Sequence, residues 1–186
     1  MSTRPGLTGF ILAGGKSARM GRDKALLDWR GRTLLDHMTN LISVIADEVH
    51  VVGRNPLPDR LQGLGPLSGI ATALERSATD ANLVVAVDLP LLTEEFLKYL
   101  KSEAERSNDP LTACKIGSDF PLCLVIQRRL LPEVQRRLAS SDLSIHALIE
   151  NSPSHLISER ELLSAGFNAS LFRNINTEQD YRDYLY

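Results

Sequence analysis

The chain has 186 residues, of which 43% are hydrophobic and 24% charged, with a net charge of −2. That length points to one domain over 1–186 able to bury its own core, and the balanced charge excludes a general nucleic-acid or anionic-membrane partner, which would show as a basic surplus. No run approaches 18 consecutive apolar residues and Met1-Ser2-Thr3-Arg4-Pro5 lacks the apolar core of a signal peptide, so the expected location is the cytoplasm, with no membrane partner.

In chain order, Phe10, Ile11 and Leu12 form an apolar run too short for a helix, stopped by Gly14-Gly15. This reads as a buried strand ending in a sharp turn. Lys16, Arg19, Arg22 and Lys24 then place four cations within nine residues, separated by small residues whose backbone N–H groups stay open to an anion. The combination suits a nucleoside triphosphate. Gly15-Lys16-Ser17 imitates the end of a P-loop, but that pattern needs glycine at position 10, where Phe10 stands in the strand. A dinucleotide fingerprint fails as well: G-x-G-x-x-G is absent from the loop, and Gly63-Leu64-Gly65 runs into Pro66.

Thr33 is placed to cap a helix to about Ala46, with Leu34, Leu35, Met38, Leu41, Ile42 and Ile45 on one face. Trp29 reads as core behind the loop and His37 as a packing or surface residue. Val49 to Val52 is a second strand, and strand–helix–strand implies a parallel sheet with a right-handed crossover. Gly65-Pro66 opens a helix to Ala78, and Leu83 to Val87 is the most apolar strand, expected at the centre of the sheet. It ends in Asp88-Leu89-Pro90. Proline keeps Leu89 extended, and Thr93 is available to cap the next helix, so Asp88 stands free at a strand mouth, where open α/β sheets bind ligands. A metal-ligating role follows for it.

After the helix from Thr93 to Arg106, Leu111 to Ile116 and Pro121 to Ile126 flank Gly117-Ser118-Asp119 as a hairpin, an antiparallel extension of the sheet. Cys114 and Cys123 lie on these paired strands with no C-x-x-C spacing, and read as buried free thiols. Arg128 to Leu138 and Ser144 to Ile149 are expected helices. His146 and His155 show no partner in the sequence. Thr177 with Asp180 opens a last helix to Leu185.

Leu12 to Gly15, Ser17, Arg19 to Gly21 and Asp23-Lys24 together resemble the L-A-G-G-x-S-x-R-M-G-x-D-K signature of the molybdenum cofactor guanylyltransferases, a MobA-type nucleotidyltransferase family. Gly65-Pro66-Leu67 with Gly69-Ile70, Asp59 upstream of them, and Asn174-Ile175-Asn176-Thr177 with Asp180 resemble the same family, so the likeness reaches both ends of the chain. It implies a Rossmann-like three-layer α/β/α fold of the nucleotide-diphospho-sugar transferase type. It also implies transfer of GMP from GTP to the terminal phosphate of molybdopterin, with pyrophosphate released and Mg²⁺ as cofactor; molybdoenzyme-maturation proteins are left open as partners. On this reading Arg19, Lys24 and Asp88 are the catalytic residues. Leu12, Ala13, Gly14, Gly15, Lys24, Gly53, Asp59 and Asp88 contact GTP, and Asp88 holds the metal; Lys16 and Arg22 are solvated helpers. At Gly53 the chain departs from the family, which often has Asn there, and Asn55 stands two residues on. Cytidylyltransferase relatives tend to carry L-A-A-G at the loop, so Gly15 points to guanine. The other readings are a cytidylyltransferase, a sugar-phosphate nucleotidylyltransferase and a non-catalytic nucleotide- or cofactor-binding protein.

Overall fold

Arg4–Leu12 (β1) and Glu48–Val52 (β2) run parallel, joined through Leu34–Ser43 (α1), and Thr79–Ala86 (β3) lies parallel on the other side of β1 after Pro66–Arg76 (α2). The computed structural model describes residues 4–14, 22–58 and 65–185. After Glu94–Ser107 (α3) come Leu111–Lys115 (β4) and Cys123–Gln127 (β5), then Leu131–Ala139 (α4), Ile145–Glu150 (α5), Ser154–Ser158 (β6), Glu159–Ser164 (α6) and Glu178–Leu185 (α7). Among the described residues six strands make one sheet ordered β2-β1-β3-β5-β4-β6, with β3 inside it as its apolar sequence requires.

The hairpin β4–β5 forms as expected, closed by reciprocal backbone bonds of 2.9 Å between Ile116 and Asp119. Its place in the sheet is more particular than an antiparallel extension. β5 inserts between β3 and β4 as the antiparallel strand, while β4 and β6 run parallel to each other. Neither β6 nor α6 was legible beforehand, since Ile157 alone is fully buried among Ser154, His155, Leu156, Ile157 and Ser158 and no apolar alternation marks the strand.

Successive strand residues point to opposite faces, and each face has its own core. Ile11, Leu83, Val85, Cys114, Cys123 and Val125 meet residues of α1, α3, α6 and α7, whereas Phe10, Val84, Leu111, Ala113, Leu124 and Ile126 meet residues of α2, α4 and α5. The fold is the expected three-layer α/β/α sandwich. Trp29 is 2% exposed within the first core. Both cysteines are free and buried as expected; burial pushes the Cys114 thiol up to about 12 and Cys123 upward as well. Thr33, Thr93 and Ser144 cap α1, α3 and α5, each accepting a backbone N–H two or three residues into the helix. Among the described residues no helix is long and apolar enough to cross a membrane.

Register places the site. Leu12 pairs with Val52 on one side and Ala86 on the other, so the three parallel strands end level. Ala13 N–H donates to Val52 O at 2.9 Å, and Val87 N–H to Leu12 O at 3.1 Å, carrying the alignment one residue past the strands. The segments after β1, β2 and β3 therefore leave the sheet side by side.

Candidate active site at the carboxyl edge of the sheet

Leu12, Ala13 and Gly14 line a cleft of about 680 Å³ together with Lys24, Asp88 and, on the α2 side, Gly65 and Gly69. A cleft of this size lies within the range that holds a nucleotide-sized ligand. Asp23 caps the short 3-10 turn Lys24–Leu26 by accepting Ala25 N–H at 3.1 Å, which sets Lys24 at the head of that turn. Its Nζ reaches Asp88 Oδ2 at 3.1 Å and Asn176 Oδ1 at 2.8 Å. Both side chains of the Lys24–Asp88 pair are only 17% exposed, so water screens their attraction far less than at an open surface.

Asp88 is gripped from the C-terminal segment too. Ile175 N–H donates to its backbone carbonyl at 3.0 Å and Asn174 Nδ2 to Oδ1 at 3.3 Å. Asn176 and Thr177 are themselves held by Asp180 Oδ2, which accepts both backbone N–H groups at 2.9 and 2.8 Å, completing the expected start of α7. Those two bonds hold the Asp180 carboxyl below the usual carboxylate range. Tyr181 Oη donates to Asp28 O at 2.5 Å, tying the same helix to the segment that carries Lys24.

The structure brings Leu12, Ala13, Gly14, Lys24 and Asp88 to one cleft. Gly15, Lys16, Arg19 and Asp59 lie outside the described residues. Gly53 is not part of the cleft lining; its φ of +91° turns the chain hard over Gly14. Asn55 is exposed. Arg22 is half exposed, and its guanidinium bonds both carboxylate oxygens of Glu178 at 2.8 Å and lies 5.1 Å over the Tyr181 ring.

Sequence reasoning missed three contributors. Asn174 and Asn176 stood in the N-I-N-T-x-x-D pattern, and that pattern was the available signal. Arg54, beside the departure at Gly53, carried none. It donates through Nε to Ala13 O at 3.1 Å and pairs with the Asp23 carboxylate. The three histidines singled out in the sequence, His37, His146 and His155, also find partners. His146 lies at the cleft edge with its ring edge-on to Phe120, and His155 Nε2 is 3.1 Å from Glu103. His37 Nε2 lies 3.0 Å from Pro90 O, two residues past Asp88, and in its neutral form donates to it.

Burial lowers the His37 pKa below its ordinary 6.5, against the contrary pull of the Pro90 carbonyl, with Arg32 and Arg30 adding to the depression. The unfolded chain therefore takes up a proton that the folded chain resists, and the His37 contribution is complete above about pH 6.5 and is lost as pH falls below it. Wild type is expected to lose more melting temperature between pH 7.5 and 5.5 than His37→Gln, which keeps an N–H donor without the titration. Parallel losses in the two proteins would remove His37 from this role.

A level row of parallel strand ends that delivers a glycine turn, a lysine and a carboxylate to one cleft defines a nucleotide-handling α/β protein. The comparisons agree. The model of the MobA-like NTP transferase domain matches residues 9–156, and the chain belongs to that family. A probable molybdenum cofactor guanylyltransferase of Carboxydothermus hydrogenoformans is 32% identical over 96% of this chain and 95% of its own. A molybdenum cofactor guanylyltransferase of Syntrophotalea carbinolica is 28% identical over 92% and 87%. Among solved structures, the molybdopterin-guanine dinucleotide biosynthesis protein A of Archaeoglobus fulgidus superposes with a TM-score of 0.80 over 95% of both chains at 22% identity, which bears on the fold.

Proposed function

We propose that the protein transfers GMP from GTP to the terminal phosphate of molybdopterin, forming the guanine dinucleotide of the cofactor. The observation that carries the reading is the Lys24 ammonium at 3.1 Å from the Asp88 carboxylate in a cleft edged by the Ala13 and Gly14 backbone. The full-length relatives named as guanylyltransferases supply the acceptor and the base.

The chemistry asks for little beyond position and charge. A terminal phosphate oxygen of the acceptor attacks the α-phosphorus of GTP, a new P–O bond forms, and the bond to the bridging oxygen breaks as pyrophosphate leaves with the electron pair. A phosphate monoester is already an anionic nucleophile at neutral pH, so no Ser, Cys or His base is needed, and burial keeps both cysteine thiols protonated. Lys24 and Arg19 offset the charge that builds on the leaving pyrophosphate. The Gly14 and Gly15 backbone donates N–H groups to phosphate oxygens.

The residues present fit a Mg²⁺ ion. No group of three or more His, Cys, Asp or Glu among the described residues forms a closed metal cage. Mg²⁺ in nucleotide sites needs none, because one or two carboxylates hold it while phosphate oxygens and waters complete the shell. Asp88, poorly solvated and at the strand mouth, is such a carboxylate. When bound, the ion neutralises phosphate charge. Asp88 would hold the ion, and in the structure the Lys24 ammonium supplies that carboxylate with its counter-charge.

Leu12 to Gly15 spell L-A-G-G, so the position that departs from L-A-A-G is Gly14 rather than Gly15, and glycine there in place of alanine leaves room for the larger purine, which favours guanine. Pyrophosphate release with Mg²⁺ and molybdopterin is expected with GTP and not with CTP or ATP. Release with CTP would make the protein a cytidylyltransferase, and silence with all three, alongside measurable GTP binding, would make it a non-catalytic binder.

A further inference from the structure

We infer that Arg54 is a positioning residue that locks the two ends of the nucleotide loop together. Ala13 and Asp23 stand on either side of the segment 15–21, and both line the cleft. Arg54 does not line it, yet one guanidinium joins the pair from behind, Nε donating to Ala13 O at 3.1 Å and Nη2 to Asp23 Oδ1. A planar guanidinium suits this task because its donors diverge in a fixed fork, so a backbone carbonyl and a carboxylate are held at a set separation.

The hold extends to the reactive cation. Asp23 receives Arg54 on Oδ1, and the same oxygen accepts Ala25 N–H at 3.1 Å, which caps the turn that begins with Lys24. The Arg54 hydrogen bond is the main cause that holds the Asp23 carboxyl below its ordinary value, so the lock stays charged at neutral pH. Arg54 is itself placed by a tight turn: Gly53 N–H donates to Leu57 O at 2.9 Å and Leu57 N–H to Arg54 O at 2.6 Å. With Val52 O on Ala13 N–H and Gly53 against Gly14, three consecutive residues, the last of β2 and the two after it, grip two after β1. Where the family often carries Asn, this chain thus has a glycine that lets the backbones touch, followed by an arginine that ties the far side of the loop.

This inference rests on the reading of the loop as a triphosphate site. If it holds, losing Arg54 leaves the cleft residues in place but lets the loop ends drift, so GTP must order them on binding. Arg54→Met is expected to raise KM for GTP about five- to tenfold, the size of one partly exposed ion pair and one hydrogen bond together, with kcat within about twofold. Arg54→Lys, which reaches one partner at a time, is expected to fall between wild type and Arg54→Met. In a double-mutant cycle, Arg54→Met made in an Asp23→Asn background is expected to cost less than half as much in KM as in wild type. Melting temperatures are measured alongside; a KM increase that tracks stability, with full additivity in the cycle, would overturn the inference, as would an unchanged KM. GTP binding by the unmutated protein separates the two readings: absence of any GTP binding sinks the triphosphate site, whereas normal binding with an indifferent Arg54→Met sinks the lock alone.

Discussion

Asp88→Asn is expected to lower kcat/KM for guanylyl transfer by about two to three orders of magnitude, the scale of losing a charged group that acts on the reacting phosphates, while GTP binding remains measurable. The substitution keeps the shape of the side chain and removes its charge. Asp88 accepts Lys24 Nζ on one oxygen and Asn174 Nδ2 on the other, so asparagine, with a single acceptor, must turn its own NH₂ toward one of two donors. The backbone bond from Ile175 N–H to the carbonyl of residue 88 survives, and the strand mouth keeps its path. Destabilisation should accordingly stay within about 1–2 kcal/mol, the cost of one mismatched polar contact. Calorimetric GTP binding beside pyrophosphate release reads both parts. Turnover within about threefold of wild type would remove Asp88 from the metal role, and loss of GTP binding together with turnover would assign it to nucleotide affinity instead.

Gly53→Ala is expected to be the most destabilising single methyl addition near the site. At φ +91° a side chain is strained wherever it points, and a Cβ here would stand 2.3 Å from Gly14 Cα and 2.4 Å from Gly14 N. Those are backbone atoms, with no rotamer to swing away. Strain and overpacking of this kind together cost about 2–4 kcal/mol, or roughly 5–15 °C in melting temperature for a domain of this size. Any relief must push Gly14 toward the cleft, so KM for GTP should rise with the loss of stability. Scanning calorimetry and GTP titration of the variant provide the check, and a melting temperature within about 1 °C of wild type would show that the two backbones part freely. The same geometry explains why an asparagine contact is not available at position 53 in this chain without moving β1 or β2.

Much of the fold was legible because its signals are local. Thr33, Thr93, Ser144 and Thr177 are hydroxyl caps whose acceptor geometry works within one turn, and the structure has each helix starting next to them. The helix ends were less legible. α1 stops at Ser43 rather than Ala46 and α2 at Arg76 rather than Ala78: past Ser43 the backbone closes in a turn, with Ile45 and Ala46 N–H both donating to Ile42 O, and Ser77, extended at φ −61° and ψ 137°, ends α2. β6 escaped for a related reason: a short strand with one fully buried residue is specified by its partner β4, whose Thr112 and Cys114 lie opposite His155 and Ile157.

By itself the sequence determined the strand-to-glycine turn after Leu12, the lysine at its far side, the carboxylate after the most apolar strand, and the membership these imply. Each of those is a matter of residue type at short spacing, where backbone sterics, capping and burial act directly. Only the tertiary structure decided which distant residues meet. Lys24 joins Asp88 across 64 positions and Asn176 across 152, and Arg54 reaches back across 41 positions to Ala13. Such meetings depend on sheet register and on the docking of α7. A one-residue slip would turn each strand over, and no local pattern near Asn174 or Arg54 records the level ending of β1, β2 and β3 on which their contacts depend.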